Sequence, residues 1–254
     1  MNKIFKLLLY YNAIAVEGVK EQFWKSEIVS KLSRMERKAL RTRKLILDSA
    51  RELFEEQPYE EVRMEDISQQ ADLSRATLYN YFPSKEAIYL EVGIEFFQEI
   101  CERQRKVITS EHSGLDQIGK LSEDALRILF EHPLVHQTMR HFLVTNSQAE
   151  ITAEETLKRL EEGQKVDDAS RPKYLREIRR FEKIWRESIE RGFRDGSIRH
   201  ELNSNQLTHF LFMIISGIFD RINLERIPLK RVGLSEEYLI RLTVDLIRKD
   251  LAND

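Results

Sequence analysis

The sequence predicts an all-α chain: an N-terminal three-helix unit with a helix-turn-helix, followed by a larger helical body. Three observations carry this. Glycine and proline, the residues that most strongly interrupt helices, number only 9 and 5 in 254. Apolar residues recur at spacings of three and four through most of the chain, the period of one covered helix face. The run DISQQADLSRATLYNYFPSKE, from Asp66 to Glu86, reads as a short helix, a sharp turn, a second helix and the opening of a third.

The spacing justifies each part of that run. Ile67 and Ala71 lie four apart and share an inward face, with Ser68 small enough for a second helix to cross closely. Asp72 falls where the chain must reverse with positive φ, which Asp tolerates better than most residues. Ser74 suits the N-cap of the second helix. Leu78 and Phe82 point inward from it, leaving Arg75, Thr77, Tyr79 and Asn80 on outward or flanking faces. Phe82 precedes Pro83, which ends the helix. Ser84 caps the next one. This is the layout that lays its second helix in a DNA major groove. Lys85 opposes the helix dipole in the first turn, a placement that suits a bound phosphate.

Around this core, a first helix is expected from about Arg41 to Gln57 and a second from Met64 to Gln70. The recognition helix should run from Ser74 to Tyr81. From Ser84 a long helix carries Ile88, Val92, Phe96, Phe97 and Ile100 towards the body. Gly114 marks a break, after which Leu115, Ile118, Leu121, Ala125, Leu129 and Phe130 resume the period. Pro133 restarts a helix containing Met139, Phe142 and Leu143. Gln148 to Ser170 is polar and reads as a short helix with a loose loop. Ile178, Phe181, Trp185, Ile189 and Gly192 then form a narrow seam suited to helix–helix packing. The next helix, QLTHFLFMIISGIF, is apolar nearly all round and is expected to be buried on most sides. A last helix spans about Ser235 to Leu251.

Composition bounds the function. With 41% hydrophobic and 33% charged residues the chain reads as a soluble globular protein. A net charge of −2 gives no overall attraction to nucleic acid, so any must be local. Arg37, Lys38, Arg41, Arg43 and Lys44 supply it just ahead of the helix-turn-helix. The single cysteine, Cys101, excludes an intramolecular disulfide, suits a reducing cytoplasm, and reads as a half-buried structural residue. At the N-terminus, Lys3 and Lys6 precede the apolar run LLLYYNAIAV, too short for a membrane span. His132, His136 and His141 cluster in sequence, but His132 precedes Pro133 and need not share a face with the others, so no metal is expected. No phosphate loop, CxxC or GxSxG motif is present, and no catalytic residue or cofactor is expected.

Residues 41–90 resemble the DNA-binding domain of the TetR/AcrR family of transcriptional regulators. The resemblance runs from TRKLILDSARELF at Thr42, through YEEVRMEDIS, to LSRATLYNYFPSKEAIY. Three positions depart from the family pattern: Asp72 and Pro58 stand where glycine is usual, and Arg63 where Ser or Thr caps the second helix. MERKALRTRKLIL, from Met35, is how members typically begin. Residues 1–34 are therefore an extension of unclear status, carrying Phe23 and Trp24 as candidate packing anchors. The expected division is 35–83 for DNA binding and 84–254 for effector binding and dimerisation.

The resemblance implies a cytoplasmic homodimer that binds double-stranded DNA at a palindrome and releases it when an unknown, possibly apolar, small molecule enters the body. Arg75, Ala76 and Asn80 would face base edges. Thr42, Arg63, Ser74, Thr77, Tyr79, Tyr81 and Lys85 would hold the backbone and fix the register. Phe96, Phe97, Ile100, Phe130, Met139 and Phe142 would line the effector pocket. Ile178, Phe181, Trp185, Ile189, Phe210, Ile214 and Ile218 would form the dimer interface. Two alternatives share the fold: a DNA-bound adaptor docking a protein partner, as nucleoid-occlusion members do, and an activator.

Overall fold

The computed structural model describes residues 33–109, 112–149, 152–164 and 169–252. The apolar N-terminal run, Phe23 and Trp24 lie outside the described residues. Within them the chain is helical and contains no strand. In order the helices are α1 (Arg34–Glu56), α2 (Met64–Gln70), α3 (Arg75–Tyr81), α4 (Lys85–Val107) and α5 (Gly114–Glu131). They continue with α6 (Pro133–Ser147), α7 (Ala153–Glu161), α8 (Ser170–Asp195), α9 (Ser204–Leu224), α10 (Arg226–Arg231) and α11 (Glu236–Ala252).

The first helix starts earlier than its apolar period suggests. Ser33 caps it: its Oγ accepts from the Glu36 N–H at 3.3 Å, and the Glu36 carboxylate accepts from the Ser33 N–H at 2.7 Å. Such a reciprocal cap is worth about 1 kcal/mol. The expected start at Arg41 is thus late, because the apolar face begins well inside the helix. The short α10 has no forewarning in the apolar period.

The head forms around Ile46, Ala50, Phe54, Ile67, Leu78 and Phe82, all nearly inaccessible. These come from α1, α2, α3 and the turn after α3, so one small core fixes how α3 crosses α2. The turn between them is closed by backbone geometry. Asp72 has φ 51°, the one positive-φ non-glycine residue among those described. Its N–H bonds to Gln69 O at 3.0 Å, and the next N–H, of Leu73, reaches back to Ser68 O at 2.8 Å. That pair of bonds is the Schellman pattern, in which the left-handed residue is usually glycine.

Helix α4 joins head to body and is covered on both sides. Ile88, Tyr89, Val92 and Phe96 complete the head core. Leu90, Ile94 and Phe97 pack with Phe142 and Tyr174 of α6 and α8. Cys101 joins the core of α5, α8, α9 and α11. It is fully buried rather than half-buried, and burial pushes its thiol up to about 12. Close backbone approach locks the far end of the body: a Cβ on Gly114 would lie 2.0 Å from Gly192 N. The N–H groups opening α5 meet Asp195 Oδ2 at 2.9 Å and Ser197 Oγ at 3.1 Å.

Ion pairs cross the junction between head and body. Arg171 of α8 donates to Glu86 of α4 at 2.7 Å, and the His141 ring of α6 lies 3.7 Å from the same carboxylate, beyond hydrogen-bond range. The His141 ring and the Arg171 guanidinium, working against partial burial, hold the Glu86 carboxyl at about 2.

Two outcomes follow. Asp72→Gly should leave the melting temperature unchanged or raise it, whereas Asp72→Val should cost about 1–2 kcal/mol in thermal or denaturant unfolding, because a β-branched residue resists positive φ. Glu86 is held below its ordinary pKa in the folded state, so its contribution is complete above about pH 4.5 and disappears as pH falls towards about 2. Melting of the parent and of Glu86→Gln across that window should show the parent's advantage shrinking; an advantage independent of pH would contradict the assignment.

Candidate nucleic-acid interface

The candidate surface is the outer face of α3 together with the ends of the helices around it. Helix α3 is short, so its ends matter. Ser74 Oγ accepts from the Thr77 N–H at 3.1 Å and lies 2.8 Å from the Thr77 hydroxyl. At the other end the Phe82 N–H returns to Leu78 O at 3.0 Å. Leu78 is fully buried. With that residue inside, Arg75, Ala76, Tyr79 and Asn80 stand exposed on one side of the helix. The Tyr79 ring is half-exposed with no ring partner among the described residues, an unusual position for an aromatic on a seven-residue helix.

Arg75 reaches back to Glu65 of α2, Nη1 to Oε1 at 3.0 Å, while its side chain stays 67% exposed. An exposed pair of this kind is worth little. It holds the guanidinium ready and can be exchanged for another acceptor. Thr77 and Tyr81 are half-buried beside the face, Tyr81 packing on the head core. Thr42 is half-buried on α1 and Arg63 is exposed at the start of α2. Arg63 cannot cap α2 with its side chain. The cap comes instead from Asp66, whose carboxylate accepts the Arg63 N–H at 2.8 Å.

Lys85 departs from the simple picture of a free phosphate ligand. Its ammonium donates to Tyr59 O at 2.6 Å and Val62 O at 2.8 Å and sits 4.1 Å from the centre of the Tyr59 ring. Burial lowers its pKa, opposed by Glu60. It therefore ties the α1–α2 loop to the start of α4, with one N–H left over. The basic run on α1 also divides. Arg43 turns in to Glu91 at 2.6 Å and over the Phe82 ring at 4.4 Å, and Lys44 pairs with Asp48 at 2.6 Å. Lys38 and Arg41 remain exposed. Sequence spacing gives no warning of Arg43, because its partner is remote in the chain and on another helix.

The residues expected at the dimer seam differ in burial. Trp185 and Ile189 are fully enclosed by their own chain, Trp185 Nε1 donating to Gln104 Oε1 at 3.0 Å. They cannot meet a second chain, and their place in the dimer seam is corrected. Ile178 and Phe181 are half-buried, Phe181 stacking 5.2 Å from Phe212. On α9, Phe210 is 36% exposed, Met213 66%, and Ile214 and Ile218 are half-buried. That helix is covered on one side only, not on most sides as its composition suggests. Among the described residues it is also the one helix long and apolar enough to cross a membrane, with 33% of its apolar window buried inside the chain.

The six effector-pocket residues do not line one wall. Phe96 and Ile100 belong to the head-side cluster. Phe97, Phe142 and Met139 gather around Tyr174, and Phe130 packs 5.2 Å from Phe219. Adjacent residues on a helix point about 100° apart, so Phe96 and Phe97 had to separate. The three histidines go to different neighbours: His132 to Phe96, His136 to Phe219, His141 to Tyr59.

Comparison with known proteins agrees with this geometry. Residues 46–92 match the sequence profile of bacterial regulatory proteins of the tetR family. The HTH-type transcriptional repressor DhaR of Mycobacterium sp. (strain GP1) is 25% identical over 187 residues, 72% of this chain and 83% of that protein. The repressor KstR2 of Rhodococcus jostii (strain RHA1) is 26% identical over 169 residues, 65% and 72% of the two chains. The fold resembles that of the regulator FadR from Bacillus subtilis, solved with stearoyl-CoA, at TM-score 0.58 and 17% identity over 82% of this chain and 98% of that one. It also resembles the TetR family regulator PfmR from Thermus thermophilus, at TM-score 0.54 and 22% identity over 80% and 97%. A capped helix pair with a left-handed turn, an exposed polar face on its second helix and this profile match make the chain a DNA-binding transcriptional regulator whose residues 46–92 form a DNA-binding domain of the tetR type.

Proposed function

We propose that the protein is a repressor that binds a palindromic DNA site as a homodimer in the cytoplasm and leaves it when a small molecule binds the helical body. The observation that carries this is α3: its ends are capped, its apolar side is buried, and Arg75, Ala76, Tyr79 and Asn80 face outward together. Arg75 and Asn80 have the donors that read guanine and adenine edges in a major groove, and Ala76 is small enough to meet a thymine methyl. Ser74, Thr77, Tyr79, Tyr81, Thr42, Arg63 and the remaining N–H of Lys85 fix the register on the phosphates. Residues 35–83 with Ser33 and Arg34 are the DNA-binding unit, and 84–254 the effector and dimer unit.

The uncovered face of α9 supports the dimer. Phe210, Met213, Gly217 and Ile218 recur along it at helical spacing, and Gly217 is open, with nothing within 4 Å of the point where a Cβ would stand. An apolar face with a glycine at its centre lets a second helix approach closely, and a two-fold partner presents the same face. Ile214 borders it, and Phe181 stacks on the neighbouring Phe212. For the effector, Phe97, Met139 and Phe142 between α4, α6 and α8 supply an apolar environment beside the helix that carries the head. The similar FadR was solved with stearoyl-CoA, which favours an apolar ligand here as well.

Two measurements test this reading. With a duplex recovered from fragmented host DNA, Arg75→Ala should relax preference at one base position by about 1–3 kcal/mol. Lys38→Ala, Arg41→Ala and Lys85→Ala should instead weaken all duplexes alike and flatten the salt dependence. Equal effects in both groups would overturn the division into base and backbone contacts. Met213→Lys should convert a species of about twice 30.2 kDa into one of that mass by light scattering; an unchanged dimer would remove α9 from the interface.

A further inference from the structure

Glu86 and Glu91 are both on α4 and both pair with the first turn of α8; Glu91 also pairs with α1 of the head. Glu91 lies between Arg43 of α1, at 2.6 Å, and Lys173 of α8, at 3.0 Å. All three side chains are largely covered, at 13%, 16% and 21% exposure for Glu91, Arg43 and Lys173. Burial raises the Glu91 carboxyl, but the two cations outweigh it and hold it below its ordinary value. Glu86 accepts from Arg171, which stands close to Lys173 in the first turn of α8, and Arg171 also reaches Thr145 O of α6 at 3.5 Å. His141 of α6, beside Glu86, packs 4.4 Å from the Tyr59 ring of the head, and the Tyr59 carbonyl is held by Lys85.

Resting on the functional reading above, we propose that Glu86 and Glu91 are positioning residues for DNA binding, a two-carboxylate relay through which the first turn of α8 sets the angle of the head on the body. The geometry favours this over a purely stabilising role. Each carboxylate takes one cation from the first turn of α8, and Glu91 takes Arg43 of the head as well, so displacement of Ser170–Lys173 acts on both at once. Covered pairs are weakly screened by salt, and removing one partner strands the other charge. An apolar contact can slide, whereas a covered carboxylate between two cations has few satisfied arrangements. Glu91 is such a carboxylate, and with the Glu86–Arg171 pair more than a turn away it constrains rotation about α4 as well as tilt.

The test needs no DNA for its first reading. Because Cys101 is fully buried, thiol labels at Gln69→Cys on α2 and Lys249→Cys on α11 report the head-to-body distance by pulsed EPR. Labelled chains are diluted into unlabelled excess so that only distances within one chain are seen. The parent should give one narrow distribution. Arg171→Met/Lys173→Met should broaden or split it, and the conservative pair Arg171→Lys/Lys173→Arg should restore it. Circular dichroism and melting check that each variant is folded, and Lys173→Met alone serves if the double variant does not fold. A narrow distribution in the Met variants, or equal broadening in the conservative pair, overturns the relay. With the recovered duplex, the loosened variants should bind roughly three- to tenfold more weakly. Loosening with unchanged affinity overturns the positioning role while leaving DNA binding intact.

Discussion

The structure depends on α4 being buried on two sides at once. Its 23 residues supply Ile88, Tyr89, Val92 and Phe96 to the head core and Leu90, Ile94 and Phe97 to the body. A helix in that position cannot belong to one unit alone. At about 25 cal/mol per Å² of apolar surface removed from water, its two covered faces outweigh any single cap or ion pair in the chain. The small head, which has little core of its own, is stable because α4 lends it a wall. Any change in the body that moves α4 moves α3 with it. Gly93 shows how tightly the helix is held: a Cβ there would lie 2.4 Å from the Tyr174 ring.

The polar groups along α4 refine what burial has fixed. Ser84 caps it, Lys85 ties its first turn to the α1–α2 loop, and Glu86 and Glu91 join it to α8 and α1. These contacts fall on the turns nearest the head; further along, Arg103 pairs with Asp124 at 2.6 Å and Gln104 accepts from Trp185, beside the apolar packing. The head is therefore carried on a junction held by charge as well as by shape.

The head was legible in the sequence because its rules are local. Asp72 in the left-handed turn, Ser74 and Ser84 as caps, Leu78 and Phe82 inside and Arg75 and Asn80 outside all follow from neighbours within a few residues. The body was legible as helices but not as surfaces. Trp185 and Ile189 share the period of Ile178 and Phe181, yet only the path of α4 and α5 decides which of them is covered. The apolar composition of α9 likewise hides that one of its faces has no neighbour in the chain. Charge was least legible: Arg43 reads as a phosphate ligand and Lys85 as a free one until Glu91 and the Tyr59 carbonyl come within reach. Ion pairs between distant helices have no periodic signature.

The most direct measurement of the central claim, that the outer face of α3 reads base sequence in a two-fold arrangement, is selection of bound duplexes from a random DNA pool by the purified protein. Enrichment of one palindrome is expected, with half-sites about one helical turn, or a small multiple of it, apart. Recovery of a pool with no common sequence, from a protein that is folded, dimeric and bound to DNA, would contradict it.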